Sequence, residues 1–123
     1  MPRMATRTRP GSCCGIPLEP APLPGPEQER LAALFRALAD PTRLAVFRLV
    51  AAQREPICAC DVVDRFDVGQ PTVSHHLRVL RDAGLVRVSR QGVWAFYAPD
   101  PDGLALLGRA GALLAGEEVS AVA

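Results

Sequence analysis

Apolar residues return at three- and four-residue intervals through most of the chain, and the runs break at proline, glycine or aspartate. A first helix is expected from Glu27, after Pro26, with Leu31, Leu34, Phe35 and Leu38 at helical spacing. Asp40-Pro41 restarts the chain as N-cap and first helical residue. The second helix then runs to about Ala52 and should bury Leu44, Phe47 and Val50. Gln53 to Pro56 reads as a connection. A third helix over about Cys58–Phe66 gathers Ala59, Val62, Val63 and Phe66 on one face. Asp67-Val68-Gly69 makes a turn, and a fourth helix follows from about Gln70 to Ala83, stopped by Gly84. Val88 and Val86, then Trp94, Phe96 and Ala98, alternate as two antiparallel strands joined across Arg90-Gln91-Gly92. The last helix, about Gly103–Ala115, carries a stripe of Leu104, Leu107, Gly111 and Leu114. That stripe needs covering. The first helix of the same chain and the same pair of helices in a second copy would do so, giving a homodimer through the first and last helices.

This order is a helix-turn-helix with a wing: mostly α, with a small β-hairpin wing. On the fourth helix Val73, Leu77 and Leu80 turn inward, while Pro71, Ser74, His75, Arg78 and Asp82 lie opposite and Thr72 and Arg81 flank them. The N-terminal part of such a helix approaches base edges, so Gln70, Thr72, Ser74 and His75 are the expected readers of double-stranded operator DNA. Arg78 and Arg81 suit phosphates. Arg90, near the hairpin tip, is within reach of a DNA backbone or minor groove. His76 sits beside the apolar stripe and reads as a structural, hydrogen-bonded histidine.

Composition changes this picture little. The 123 residues allow one compact domain, and with 5% aromatic residues its core must be aliphatic. Seven of the 12 prolines lie in residues 1–26, which makes that segment an extended or flexible arm. The expected division is therefore an arm over 1–26, a DNA-binding and dimerisation domain over 27–116 and a tail over 117–123. Net charge is only +1, but Arg65 to Arg90 holds five arginines against two aspartates. A near-neutral protein with one basic face suits a dimer that meets phosphate on one side. No run approaches the ~18 apolar residues of a membrane span, and no apolar signal core follows the N-terminal arginines. The expected location is the cytoplasm. No activated nucleophile is evident beside the two histidines of the fourth helix, so neither an enzyme nor an organic cofactor is expected.

The four cysteines fall as Cys13-Cys14 and Cys58-Ala59-Cys60. In a cytosolic chain such pairs point to reduced thiols, metal ligands or redox chemistry more than to structural disulfides. On an ideal helix Cys58 and Cys60 stand about 160° apart, which argues against both addressing one ion within the helix interior.

Several motifs together resemble the ArsR/SmtB family of winged-helix metal-sensing repressors. LFRALADPTRLAVFRLV is similar to the family's second-helix signature, QPTVSHHLRVLRDAGLV to its recognition helix and RQGVWAFYA to its wing. ICACDV resembles the cysteine motif of arsenic- and cadmium-responsive members. The resemblance spans roughly residues 28–115. It implies a homodimer that represses from an operator and lets go when a toxic metal or metalloid binds. It also implies ligands from the CxC motif and, in some members, from N-terminal cysteines of the partner subunit. The zinc-sensing pattern on the last helix is missing, since that segment has no histidine. Thiolates select soft ions, and arsenite and antimonite take three sulfurs in a trigonal pyramid. The expected inducer is As(III) or Sb(III), held by Cys13, Cys14 and one or both of Cys58 and Cys60. Two alternatives stay open: Cd(II) or Pb(II) on all four thiolates, and a thiol redox sensor on the same fold.

Overall fold

The computed structural model describes Leu18 and residues 20–117. In chain order it contains α1 (Gly25–Leu38), α2 (Pro41–Ala52), β1 (Ile57–Cys58), α3 (Ala59–Arg65), α4 (Gln70–Asp82), β2 (Val86–Gln91), β3 (Trp94–Pro99) and α5 (Pro101–Leu114). The mostly helical winged helix-turn-helix is as expected. α1 starts two residues early, because Pro26 fits a helix's first turn, where its missing N–H is not needed. Asp40 caps α2 by accepting the Arg43 N–H at 3.0 Å. α4 closes on a left-handed glycine: Gly84 has φ 82°, its N–H reaches the Arg81 carbonyl at 3.0 Å, and the Leu85 N–H reaches the Leu80 carbonyl at 2.9 Å. Among the described residues no helix is long and apolar enough to cross a membrane. Of the expected N-terminal arm and C-terminal tail, Cys13 and Cys14 lie outside the described residues, as do residues 118–123.

The core is aliphatic. Leu34, Val46, Val62, Val73, Leu77, Leu80 and Leu85 are wholly shielded, with Leu106 and Ala110 closing it from α5. The expected stripe of α2 is displaced: Leu44 is 42% exposed and Val46 is buried beside Phe47 and Val50. In α5, Gly103, Leu106 and Ala110 face the core of the chain, while Leu104, Gly111 and Leu114, expected to be covered in part by a second copy, face outward. Both helices are apolar nearly all round, so periodicity offers two overlapping stripes and packing chooses between them. For α5 the choice is steric. A Cβ at Gly103 would overlap the Gly84 carbonyl oxygen and stand 3.3 Å from the Leu85 Cα, so the small face alone permits this approach. On α1, Phe35 of the apolar series is exposed.

The sheet holds a strand that the sequence did not announce. β1 pairs antiparallel with β3, Ile57 opposite Tyr97 and Cys58 opposite Phe96, so the order is β1-β3-β2 rather than a lone hairpin. Two residues are too few to show a period; only their partner makes them a strand. The hairpin register runs from Val86 opposite Pro99 to Gln91 opposite Trp94, and the turn holds Gly92 at φ 62°. The third helix therefore begins at Ala59, not Cys58, and ends at Arg65.

His76 ties α4 to the α1–α2 corner. It is 7% exposed, and its Nδ1 lies 3.4 Å from the Arg43 guanidinium. The same guanidinium donates its Nε–H to the Ala37 carbonyl. Arginine can only donate, so Nδ1 accepts and the imidazole is neutral. Burial holds its pKa below the ordinary 6.5, an effect the Asp40 carboxylate opposes and Arg43 and His75 reinforce. Between 6.5 and the depressed folded value, the unfolded chain takes up a proton that the fold resists. Stability should therefore be complete above that range and fall as the pH is lowered through it. Urea denaturation at fixed protein concentration should show this loss in the wild type and a smaller one in His76→Gln.

Candidate nucleic-acid interface and thiol site

Burying Val73, Leu77 and Leu80 turns the opposite side of α4 to solvent. Gln70, Thr72, His75, Arg78 and Arg81 are exposed and Ser74 is half-buried. Gln70, Ser74, Arg78 and Arg81 recur at helical spacing and form one wall of a groove of about 430 Å³. The hairpin supplies the other wall through Arg90, Val93, Trp94, Ala95 and Tyr97, and Cys58-Ala59-Cys60 completes the lining. Seven expected site residues thus meet in one place: Gln70, Ser74, Arg78, Arg81, Arg90, Cys58 and Cys60. Thr72 and His75 are exposed on α4 but do not line this groove. Arg81 shares its charge with Asp82 at 3.3 Å, an exposed pair worth little in water.

Five groove residues, Ala59, Val93, Trp94, Ala95 and Tyr97, are not among the expected site residues. Alternation places Trp94 in a strand, where it is 55% exposed, and Val93 beside it is 90% exposed. The signal was their position: both directly follow Gly92 at the hairpin turn.

The cysteines sit at the start of α3. Cys58 is its N-cap, with extended backbone, and its Sγ accepts the Cys60 N–H at 3.3 Å. Asp61 completes a capping box by accepting the Cys58 N–H at 3.0 Å. The ideal-helix separation of the two cysteines therefore does not apply, because Cys58 stands outside the helix. Cys58 is largely buried and Cys60 exposed, and both are free thiols. A side-chain hydrogen bond with Cys58 holds the Cys60 pKa above the ordinary cysteine value, and desolvation acts the same way. Among the described residues no group of three or more His, Cys, Asp or Glu could hold a metal ion.

A helix-turn-helix domain family matches residues 38–89, from the end of α1 into β2. An HTH-type transcriptional regulator of Methanocaldococcus jannaschii is 42% identical over 69 residues, 56% of this chain and 76% of that protein. The structure of the ArsR family transcriptional regulator RHA00566 superposes with a TM-score of 0.62 at 30% identity, covering 72% of this chain and 89% of that one. This chain belongs to the ArsR/SmtB family of winged-helix transcriptional repressors. The arsenical resistance operon repressor of Escherichia coli is 41% identical over 68 residues, 55% of this chain. The chain spans 57% of that repressor's length.

A groove that meets DNA phosphates through its arginines should behave electrostatically. Arg78→Ala and Arg90→Ala should each weaken binding to any duplex and reduce the salt slope of log affinity by about 0.9 for each phosphate that is no longer neutralised. Arg54→Ala, on the α2–β1 connection away from the groove, should leave both unchanged. Fluorescence anisotropy on one labelled duplex over a range of salt concentrations measures all three.

Proposed function

We infer that the chain is a homodimeric repressor that binds operator DNA and releases it when a soft metal or metalloid is taken up by its cysteine thiolates. The observation that supports this is that Cys58 and Cys60 line the same groove as Gln70, Ser74, Arg78 and Arg81 of α4 and Arg90 of the wing. Gln70, Thr72, Ser74 and His75 read base edges in this scheme, and Arg78, Arg81 and Arg90 hold phosphates. A second copy covers the outward Leu104 and Leu114 of α5 and Phe35 of α1, which are too apolar to leave in water.

The donor set fits a soft, thiophilic ion and not a hard one. As(III) or Sb(III) needs three sulfurs. Cys58 and Cys60 supply two at one helix start, and Cys13 or Cys14, of the same chain or its partner, supplies the third. The name of the Escherichia coli relative supports an arsenical inducer. Because Cys58 is a cap residue, it and Cys60 can address one ion together. That observation also keeps the four-thiolate Cd(II) or Pb(II) reading as the second choice. Coupling to α4 runs through Val62 of α3, buried against the core, with Val63 and Phe66 packed at its edge. A few kcal/mol is enough to change operator occupancy strongly.

Under reducing conditions, arsenite and antimonite should release a labelled operator duplex from the wild type. Cys60→Ser and the double change Cys13→Ser/Cys14→Ser should each raise the arsenite needed by at least about tenfold, equivalent to about 1.4 kcal/mol of coupling. Release by Cd(II) or Pb(II) with arsenite inert would move the assignment to the four-thiolate site. Release by peroxide alone would make the chain a redox sensor and remove the metal reading.

A further inference from the structure

We propose that His76 is a positioning residue for DNA binding, one that holds α4 in place only while its imidazole is neutral, so that acid releases the duplex. The inference rests on the reading of α4 as the DNA-binding helix. It goes beyond that reading, since it involves neither cysteine nor metal.

The Arg43 guanidinium sits where three helices meet. It belongs to α2, donates its Nε–H to the Ala37 carbonyl in the last turn of α1, and lies 3.4 Å from Nδ1 of His76 on α4. Asp40 fixes the start of that arginine by accepting its backbone N–H at 3.0 Å. α1 also carries the outward Phe35 that a second copy covers in the proposed dimer. Arg43 therefore joins a dimer-facing helix to the DNA-facing one, and His76 is the far end of the joint. Among the described residues His76 is the one buried polar side chain.

A proton on Nδ1 would turn the acceptor into a donor. The imidazolium then has nothing to offer the guanidinium, and two cations face each other at 3.4 Å in a largely buried site. The charged and titratable groups that act on His76 are Asp40 and Arg43 from the start of α2 and His75 from its own helix, while α1 presents the Ala37 carbonyl to Arg43. Asp40 favours the proton; burial, Arg43 and His75 oppose it. Uptake of the proton is accommodated by parting from Arg43, and the tie from α4 to the end of α1 is given up. The two recognition helices of a dimer must keep a set spacing to enter successive turns of the major groove. A loosened α4 therefore costs affinity. A proton on the exposed His75 has the opposite sign, because it adds a cation to the face that meets phosphate. A loss of binding in acid thus points to the buried histidine and not to its neighbour.

The test uses a labelled duplex selected from a random pool by the wild type at about pH 7.5. Anisotropy follows its Kd down to about pH 5 at constant ionic strength, and far-UV circular dichroism is recorded on the same samples. Once the pH is below the folded pKa of His76, the Kd should rise by about tenfold per pH unit for each protomer that must stay unprotonated, with the dichroism unchanged. Arg43→Met keeps a buried stem without the guanidinium, and it should bind at least about tenfold more weakly at about pH 7.5 already. His76→Ala should show the same loss. His76→Asn places a carbonyl oxygen near the position of Nδ1 and does not titrate, so it should recover most of that binding and keep it in acid. Where His76→Ala does not fold, the wild-type and His76→Asn profiles decide. A wild-type Kd that stays level or falls in acid overturns the proposal, as does an equal acid loss in His76→Asn. A loss of helical signal that coincides with release also overturns it, because acid would then act by unfolding. If the wild type binds no duplex at about pH 7.5, the DNA-binding reading itself fails, and this inference with it.

Discussion

Everything the recognition helix presents to solvent depends on what its other side buries. Val73, Leu77 and Leu80 are wholly shielded, and each such side chain contributes roughly 1.5–3 kcal/mol of burial. No exposed polar interaction on the helix approaches the sum. Once that stripe is seated, the next positions around the helix have no freedom: Gln70, Ser74, Arg78 and Arg81 must rise on one line. His76 fixes the same rotation from the edge through Arg43, which also holds the Ala37 carbonyl at the end of α1. The Schellman turn at Gly84 then delivers the chain into β2, and the Asp100 N–H on the Leu85 carbonyl at 2.8 Å joins that turn to the start of α5. The wing is thus held beside α4 by the same short segment that ends it.

The second constraint is the use of cysteine as a helix cap. Serine or aspartate would serve the α3 N-terminus at least as well, since a thiol is a weak acceptor. The capping box is complete nonetheless, because Asp61 takes the Cys58 N–H. In the proposed switch the Cys58 thiolate keeps lone pairs for the Cys60 N–H while it holds an ion, so the cap and the metal are compatible.

The helix-turn-helix was legible because α4 has one clean apolar stripe with polar residues everywhere else, and because Asp40-Pro41 and Gly84 punctuate the chain by known stereochemistry. The displaced stripe of α2 and the core-facing stripe of α5 were not legible, since Leu44 and Val46, or Leu104 and Leu106, are equally apolar in one dimension. For α5, the close approach of Gly103 to Gly84 separates them. β1 is hidden by its length, and without it the helical period draws Cys58 into α3. The separation of about 160° that would keep the two cysteines from one ion holds only inside a helix, and it falls because Cys58 is a cap. The exposure of Gln70, Thr72, His75, Arg78 and Arg81 on α4 was visible from the helix period. The meeting of Cys60 with Arg90 and Trp94 was not, because it depends on the fold of the sheet over α4.

The most direct test of the central claim is the duplex dissociation constant measured against free arsenite over several decades under reducing conditions. Coupling from the thiolates to α4 predicts a dissociation constant that rises with arsenite and levels off at a finite plateau, with arsenite and duplex bound to the same protein. A dissociation constant that arsenite leaves unchanged would contradict it.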